Sequence, residues 1–265
     1  MHTKKILPTL ALALALTGAT TLAPADAAPH DAVRPARAGS FQVTASVKDD
    51  EVLEGESVKI RGTVKPAAPG AQVSLQVRYA DQKKWKTIGH TALRSDGGFR
   101  FKDEAGSVRV RKYRVVKAAG PTRAAGHSSP IKVTVFGWRN LDTLDPATSL
   151  LLSEGYTGLL NAVSYPRSLA TLSTSPSPAH IDYNLNRDCT LLEAVYGLDD
   201  RTPTGATASL SVVADGVSKY AGTFSLAQAQ KVTTDVTGVF RLTVNGATTG
   251  GGVAVVGTPR VLCSF

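Results

Sequence analysis

The sequence predicts an all-β protein made of two β-sandwiches in succession. Three observations carry that prediction. Apolar residues alternate with period two from residue 41 onward, Gly and Pro punctuate the chain at short intervals, and the periodicity of an amphipathic helix is nearly absent. The length of 265 residues suits two domains better than one. Charge divides the chain in the same way: residues 41–136 hold 18 Lys and Arg against 9 Asp and Glu, a net of +9, whereas 137–265 hold 8 against 10, a net of −2. The basic half is suited to anionic partners through a field that salt screens. The same charges also serve to keep strands soluble.

The N-terminus reads as a secretory signal peptide over residues 1–27. Lys4 and Lys5 precede an apolar run at 10–16, and Ala25-Asp26-Ala27 has the small-x-small pattern of a cleavage site. That run is shorter than the roughly 20 residues a spanning helix needs, and no later stretch approaches it, so the mature chain is expected to be secreted and to lack a transmembrane segment. Residues 28–40 contain two prolines and no apolar period, as in a flexible leader.

Half-buried strands follow in the basic half: Phe41, Val43, Ala45 and Val47; Val58, Ile60 and Val64; Val73, Leu75, Val77 and Tyr79; then 85–93, 99–101, 108–116 and 131–135. Seven short strands in a segment of this length predict a β-sandwich over 41–136. Gly62-Thr-Val-Lys-Pro66, Val73-Ser-Leu-Gln76, Trp85, Gly98-Phe99 and Tyr113-Arg-Val115 resemble the bacterial Ig-like or fibronectin-III-like modules of secreted actinobacterial proteins. The resemblance implies that Trp85 anchors the core and that Tyr113 hydrogen-bonds back to upstream backbone.

Residues 137–265 join the first module without a linker. Residues 150–154 suit one helical turn, and strands are expected at 159–164, 181–185, 190–198, 206–214, 217–226, 231–236, 239–244 and 253–263. A Ser/Pro loop at 173–178 is expected to be exposed, Asp215-Gly216 marks a hairpin, and the glycine run at 248–252 reads as a flexible hairpin. Strands without helices point to a two-sheet jelly roll. Cys189 and Cys263 are the only cysteines. In an oxidising compartment they are expected to form a disulfide that closes most of this module.

Ile181-Asp-Tyr-Asn-Leu185, the segment Cys189 to Asp200, Gly205-Ala206, Val213-Ala-Asp-Gly216 and Thr234-Asp-Val-Thr-Gly238 occur in one order, preceded by Tyr165-Pro-Arg-Ser-Leu169. Together they resemble the NPCBM family of carbohydrate-binding modules found beside glycoside hydrolases. That resemblance implies a galactose-binding-like jelly roll and a role in holding glycan.

Sugar sites commonly set an aromatic face against a pyranose, with amides, carboxylates and Arg reading its hydroxyls. No Trp follows Trp138, and most later aromatics fall in strands, so Tyr165, beside a proline, is the candidate carbohydrate contact. Asp199 and Asp200 follow Gly-Leu at a strand end, where they either hold a structural Ca²⁺ or cap the turn. Sequence motifs for serine hydrolases, P-loops, dinucleotide sites and zinc hydrolases are absent. No Arg-rich helix or stacking platform suggests specific nucleic-acid binding. The sequence therefore predicts a secreted, extracellular or cell-wall-associated protein without catalysis that binds polysaccharide or cell-wall glycan. The alternatives are a structural or protein-binding module with a secreted protein as partner, and a secreted hydrolase.

Overall fold

A computed structural model describes residues 38–172 and 178–265. The expected signal peptide, most of the leader and most of the Ser/Pro loop lie outside the described residues. Among the described residues, no helix is long and apolar enough to cross a membrane.

The basic half forms β1 (Ala38–Ser40), β2 (Gln42–Val47), β3 (Glu51–Leu53), β4 (Ser57–Lys65), β5 (Gln72–Tyr79), β6 (Lys86–Ala92), β7 (Gly98–Glu104), β8 (Arg109–Lys117), β9 (Arg123–Ala124), β10 (Gly126–His127) and β11 (Ile131–Asn140). Alternation decides what each strand buries: β4 turns Val58, Ile60 and Val64 inward, and β5 does the same with Val73, Leu75 and Val77. A three-stranded sheet, β2-β4-β7, closes over β6-β5-β8-β11, and one apolar core fills the space between them. β1 changes only the end of the expected leader, residues 38–40, where Ala38 and Ser40 pair in parallel with Arg123 and Ala124.

Both aromatic roles implied by the Ig-like resemblance are also corrected. Trp85 is half-buried on the outer face, its ring lying 4.8 Å from the Arg78 guanidinium and 4.4 Å from that of Arg114. Tyr113 is fully buried, but its hydroxyl donates to the Asp103 carboxylate at 2.6 Å instead of to backbone. Burial and the neighbouring Asp103 raise its pKa well above the ordinary phenol value. Arg111, also buried, donates to the same Asp103 oxygen at 3.3 Å. Tyr113→Phe is expected to cost about 1–2 kcal/mol. Denaturant titration would show this as a lower midpoint with an unchanged slope.

The second half follows a short 3₁₀ turn at Leu141–Thr143. Its strands are β12 (Pro146–Leu150), β13 (Leu152–Leu160), β14 (Val163–Thr171), β15 (Ala179–Asn184), β16 (Cys189–Leu198), β17 (Thr207–Ala214), β18 (Val217–Phe224), β19 (Ala229–Asp235), β20 (Arg241–Thr249) and β21 (Ala254–Cys263). The five-stranded sheet β12-β15-β20-β17-β18 packs on the strands β14, β21, β16 and β19. Their shared core includes Ile181, Tyr183, Leu192, Tyr196, Leu210, Val212, Leu242, Val244, Val256 and Val261. The fold is all-β throughout both halves, as the sequence predicts.

Three local expectations change. Residues 150–154 form no helical turn: Leu151, at φ 55°, kinks the chain between β12 and β13. The segment 159–164 is not one strand but the tip of the β13–β14 hairpin, with Asn161 and Ala162 at φ 48° and 63°. The glycine run at 248–252 closes no hairpin, because β20 and β21 belong to different sheets and the run crosses between them. Asp215 and Gly216, both left-handed, do join β17 to β18.

β11 joins the two halves directly. Residues 131–135 pair with β8, and Gly137–Asn140 pair with β21. Cys189 and Cys263 stand opposite each other on β16 and β21 and are disulfide-bonded, with both side chains buried.

Candidate functional site

β21 carries apolar residues on both faces. Ala254 and Val256 enter the main core, while Val255 points the other way and joins Leu160 and Ala170 in a small separate cluster. That cluster forms because the β13–β14 hairpin folds onto the outer face of the sheet. The close approach needs Gly158, where a Cβ would come within 2.5 Å of a Val255 methyl.

A cleft of about 620 Å³ opens between this hairpin and the sheet. The hairpin contributes Leu160, Asn161, Val163 and Tyr165. The opposite wall is a cross-strand row in which Asn140 stands beside Arg260 and Arg260 beside Glu193, with Lys231 from β19 close by. Glu193 accepts from Arg260 at 2.6 Å and from Lys231 at 3.0 Å. Burial raises the Glu193 pKa, but the hydrogen bonds and charges of Lys231 and Arg260 outweigh it and hold the carboxyl below its usual range. The Arg260 guanidinium also lies 4.5 Å from the ring centre of the exposed Trp138. With two cations on one carboxylate, the wall keeps N–H donors to spare beside a carboxylate acceptor and the Asn140 amide, and Asn161 adds a second amide from the hairpin.

Tyr165 lies in β14 rather than in a turn, and it is half-buried. Its ring rests on the backbone of Gly257, where a Cβ would be 2.9 Å from the tyrosine Cγ. Two residues on, Arg167 at φ 57° marks the bulge between the Tyr156–Ser168 and Gly158–Tyr165 pairs. Arg167 makes a bidentate pair with Asp142, with Nε to Oδ2 at 2.8 Å and Nη2 to Oδ1 at 2.8 Å.

Asp199 and Asp200 hold the hairpin in place. Asp199, buried at 1% exposure, accepts from the amides of Leu159 and Arg201, the Tyr156 hydroxyl, and the Arg201 guanidinium at 2.7 Å. Asp200 accepts from the Asn161 and Ala162 amides at 3.0 and 2.6 Å. Arg201 also donates to the Thr157 carbonyl at 2.8 Å. The turn-capping alternative describes this geometry. In place of a Ca²⁺ shell, all four carboxylate oxygens face N–H or O–H donors, which repel a cation. Among the described residues, no cluster of three or more His, Cys, Asp or Glu is placed to ligate a metal.

Of the residues the sequence singled out, the structure thus puts Tyr165 in the cleft and Asp199 and Asp200 behind its hairpin wall, while the cysteines tie β16 to β21. Sequence reasoning missed Asn140, Glu193, Lys231 and Arg260, which lie on four different strands. The available signal was a charge at an outward position between apolar neighbours, as at Glu193 in Leu192-Glu193-Ala194. A second concavity of about 440 Å³ on the five-stranded sheet is lined by small residues, including Ser209, Ser211, Thr223 and Asn245, without an aromatic or a charge.

The hairpin, the Asp199–Asp200 clamp and most of the cleft fall within one recognisable segment. Residues 151–255 match the NPCBM/NEW2 domain. The match takes in Tyr165, Glu193 and Lys231, and it ends before Gly257 and Arg260. Among solved structures, CBM51 from Clostridium perfringens GH95 in complex with methyl-galactose aligns at a TM-score of 0.40 and 19% identity, over 47% of this chain and 99% of that one. The CBM51-2 and INT domains of Clostridium perfringens ZmpB align at a TM-score of 0.40 and 11% identity, over 82% of this chain and 48% of that one. No curated protein sequence matches the chain significantly.

Proposed function

We propose that the chain is a secreted, extracellular or cell-wall-associated binding protein without catalysis, and that it holds glycan in the cleft of the NPCBM/NEW2-matching half. The cleft carries this reading: Tyr165 faces a wall of Asn140, Arg260, Glu193 and Lys231 inside and beside the segment that matches a carbohydrate-binding family. Sugar rings need an apolar surface and several directional donors and acceptors at once, and this cleft combines them. The apolar run and small-x-small pattern at the N-terminus support secretion.

The test is retention of the full chain on a panel of insoluble polysaccharides and purified cell wall at low and high salt. Recognition through hydroxyl contacts survives high salt, whereas diffuse charge attraction does not. Tyr165→Ala and Arg260→Ala are each expected to weaken retention about tenfold, equivalent to about 1.4 kcal/mol. Gly257→Val should have the same effect, because its side chain displaces the Tyr165 ring. Retention that vanishes at high salt on every glycan, or that is unchanged in all three variants, overturns the cleft as a glycan site and leaves protein binding as the function to test.

A further inference from the structure

The outer face of the β6-β5-β8-β11 sheet has a charge pattern that folding alone disfavours. Arg78 stands directly opposite Lys112, and Lys112 directly opposite Lys132, so three cations form one cross-strand row. Like charges placed opposite one another destabilise a sheet. Arg114, two residue pairs along and so the next outward position on its strand, packs on the same Trp85 indole as Arg78, and its Nε donates to the Gln76 side chain at 2.8 Å. Burial and the charge of Arg78 lower the pKa of Arg114. Among the described residues, none of these four cations forms an ion pair with a carboxylate. Glu51, opposite Thr134, reaches only the edge of this face.

We propose that this face, centred on Arg78, Lys112, Arg114 and Lys132, is a binding site for a linear anionic polysaccharide. The indole of Trp85 fixes two guanidinium groups side by side, with N–H donors free to take carboxylate, sulfate or phosphate oxygens. An approaching polyanion removes the repulsion along the row. The strand β11 links the face to the cleft: Lys132 and Thr134 share their side of the strand with Trp138 and Asn140, the latter in the cleft wall. One extended glycan can therefore run from one surface to the other. The choice of a glycan over other polyanions rests on the cleft reading, whereas the anion site itself does not.

The experiment uses the full chain on immobilised heparin, polygalacturonate and single-stranded DNA at about 0.1 M salt, where exposed charges act over about 10 Å. Arg78→Gln with Arg114→Gln is compared with Lys112→Gln plus Lys132→Gln, and with Lys59→Gln plus Arg61→Gln, which removes equal charge from the opposing sheet. Each variant's thermal transition is recorded. If the arginine pair proves necessary for folding, the lysine pair carries the test, because it leaves Trp85 undisturbed. The expected result is about a tenfold loss of affinity for at least one anionic polysaccharide in both variants of this face, and less than about a threefold loss in the opposing-sheet control. Equal losses in all three variants overturn the site in favour of diffuse net charge. Tighter binding to DNA than to either polysaccharide overturns the glycan class. Failure of the cleft reading appears separately, as unchanged neutral-glycan retention in Tyr165→Ala, and leaves the comparison between the two faces intact.

Discussion

Replacing both cysteines, Cys189→Ala with Cys263→Ala, is expected to lower the unfolding free energy by about 4 kcal/mol on the chain-entropy account. The bond closes a loop spanning 74 residues of sequence, which includes most of the second sandwich. Without it, the unfolded chain regains the freedom that the bond removes. The folded state loses a buried cross-strand link at the end of β16 and β21, beside the point where β21 pairs with β11. A denaturant titration of the full chain should show the second half unfolding at lower midpoint, and reduction of the unaltered protein should shift it in the same direction. An unchanged midpoint would refute the stabilising role of the bond.

The second large effect is expected at Asp199. Asp199→Ala removes the buried acceptor for the Leu159 amide, the Tyr156 hydroxyl and the Arg201 side chain, and it leaves half-buried donors without that partner. Losing one partner of such a buried network costs about 3 kcal/mol. The exposed Arg201 head recovers part of its hydration, which moderates that cost. The hairpin should loosen first, so glycan retention falls before the core unfolds. Protease nicking near residues 157–162 would report this opening directly.

The pH dependence follows from the same group. Burial raises the Asp199 pKa, but the hydrogen bonds from Arg201 and the Leu159 amide outweigh it and hold the carboxyl below its ordinary value. Stability from the ionised clamp is therefore fully present above the unfolded value near about 3.9 and is lost as pH falls through the lower folded value. Wild-type stability minus that of Asp199→Asn should shrink as the solution is acidified below about pH 4. A difference that stays constant from pH 6 to about pH 2.5 would show that the carboxylate charge is not what holds the hairpin.

Strand existence was legible along most of the chain because burial on one face writes itself into period-two alternation, as in Val73, Leu75 and Val77. The disulfide was legible because there are only two cysteines. Trp85 was misread because an indole is apolar enough for a core and also polarisable enough to pack against guanidinium groups at the surface. Only the positions of Arg78 and Arg114 on neighbouring strands decide between those environments. The carboxylates of Asp199 and Asp200 were visible as a turn signal, but their partners lie about 40 residues upstream, at Leu159, Asn161 and Ala162.

By itself, then, the sequence determined the all-β class, the concentration of positive charge in the first half, the covalent link and the run of motifs that resembles a glycan-binding family. Each of these depends on local periodicity or composition. The tertiary structure alone decided the cleft, because Asn140, Tyr165, Glu193, Lys231 and Arg260 come from five strands. Their meeting depends on the registers of β11, β21, β16 and β19 and on a hairpin that glycines allow to fold over the sheet. Register is set by which faces are buried together, and that is a property of the whole packed sandwich rather than of any one segment.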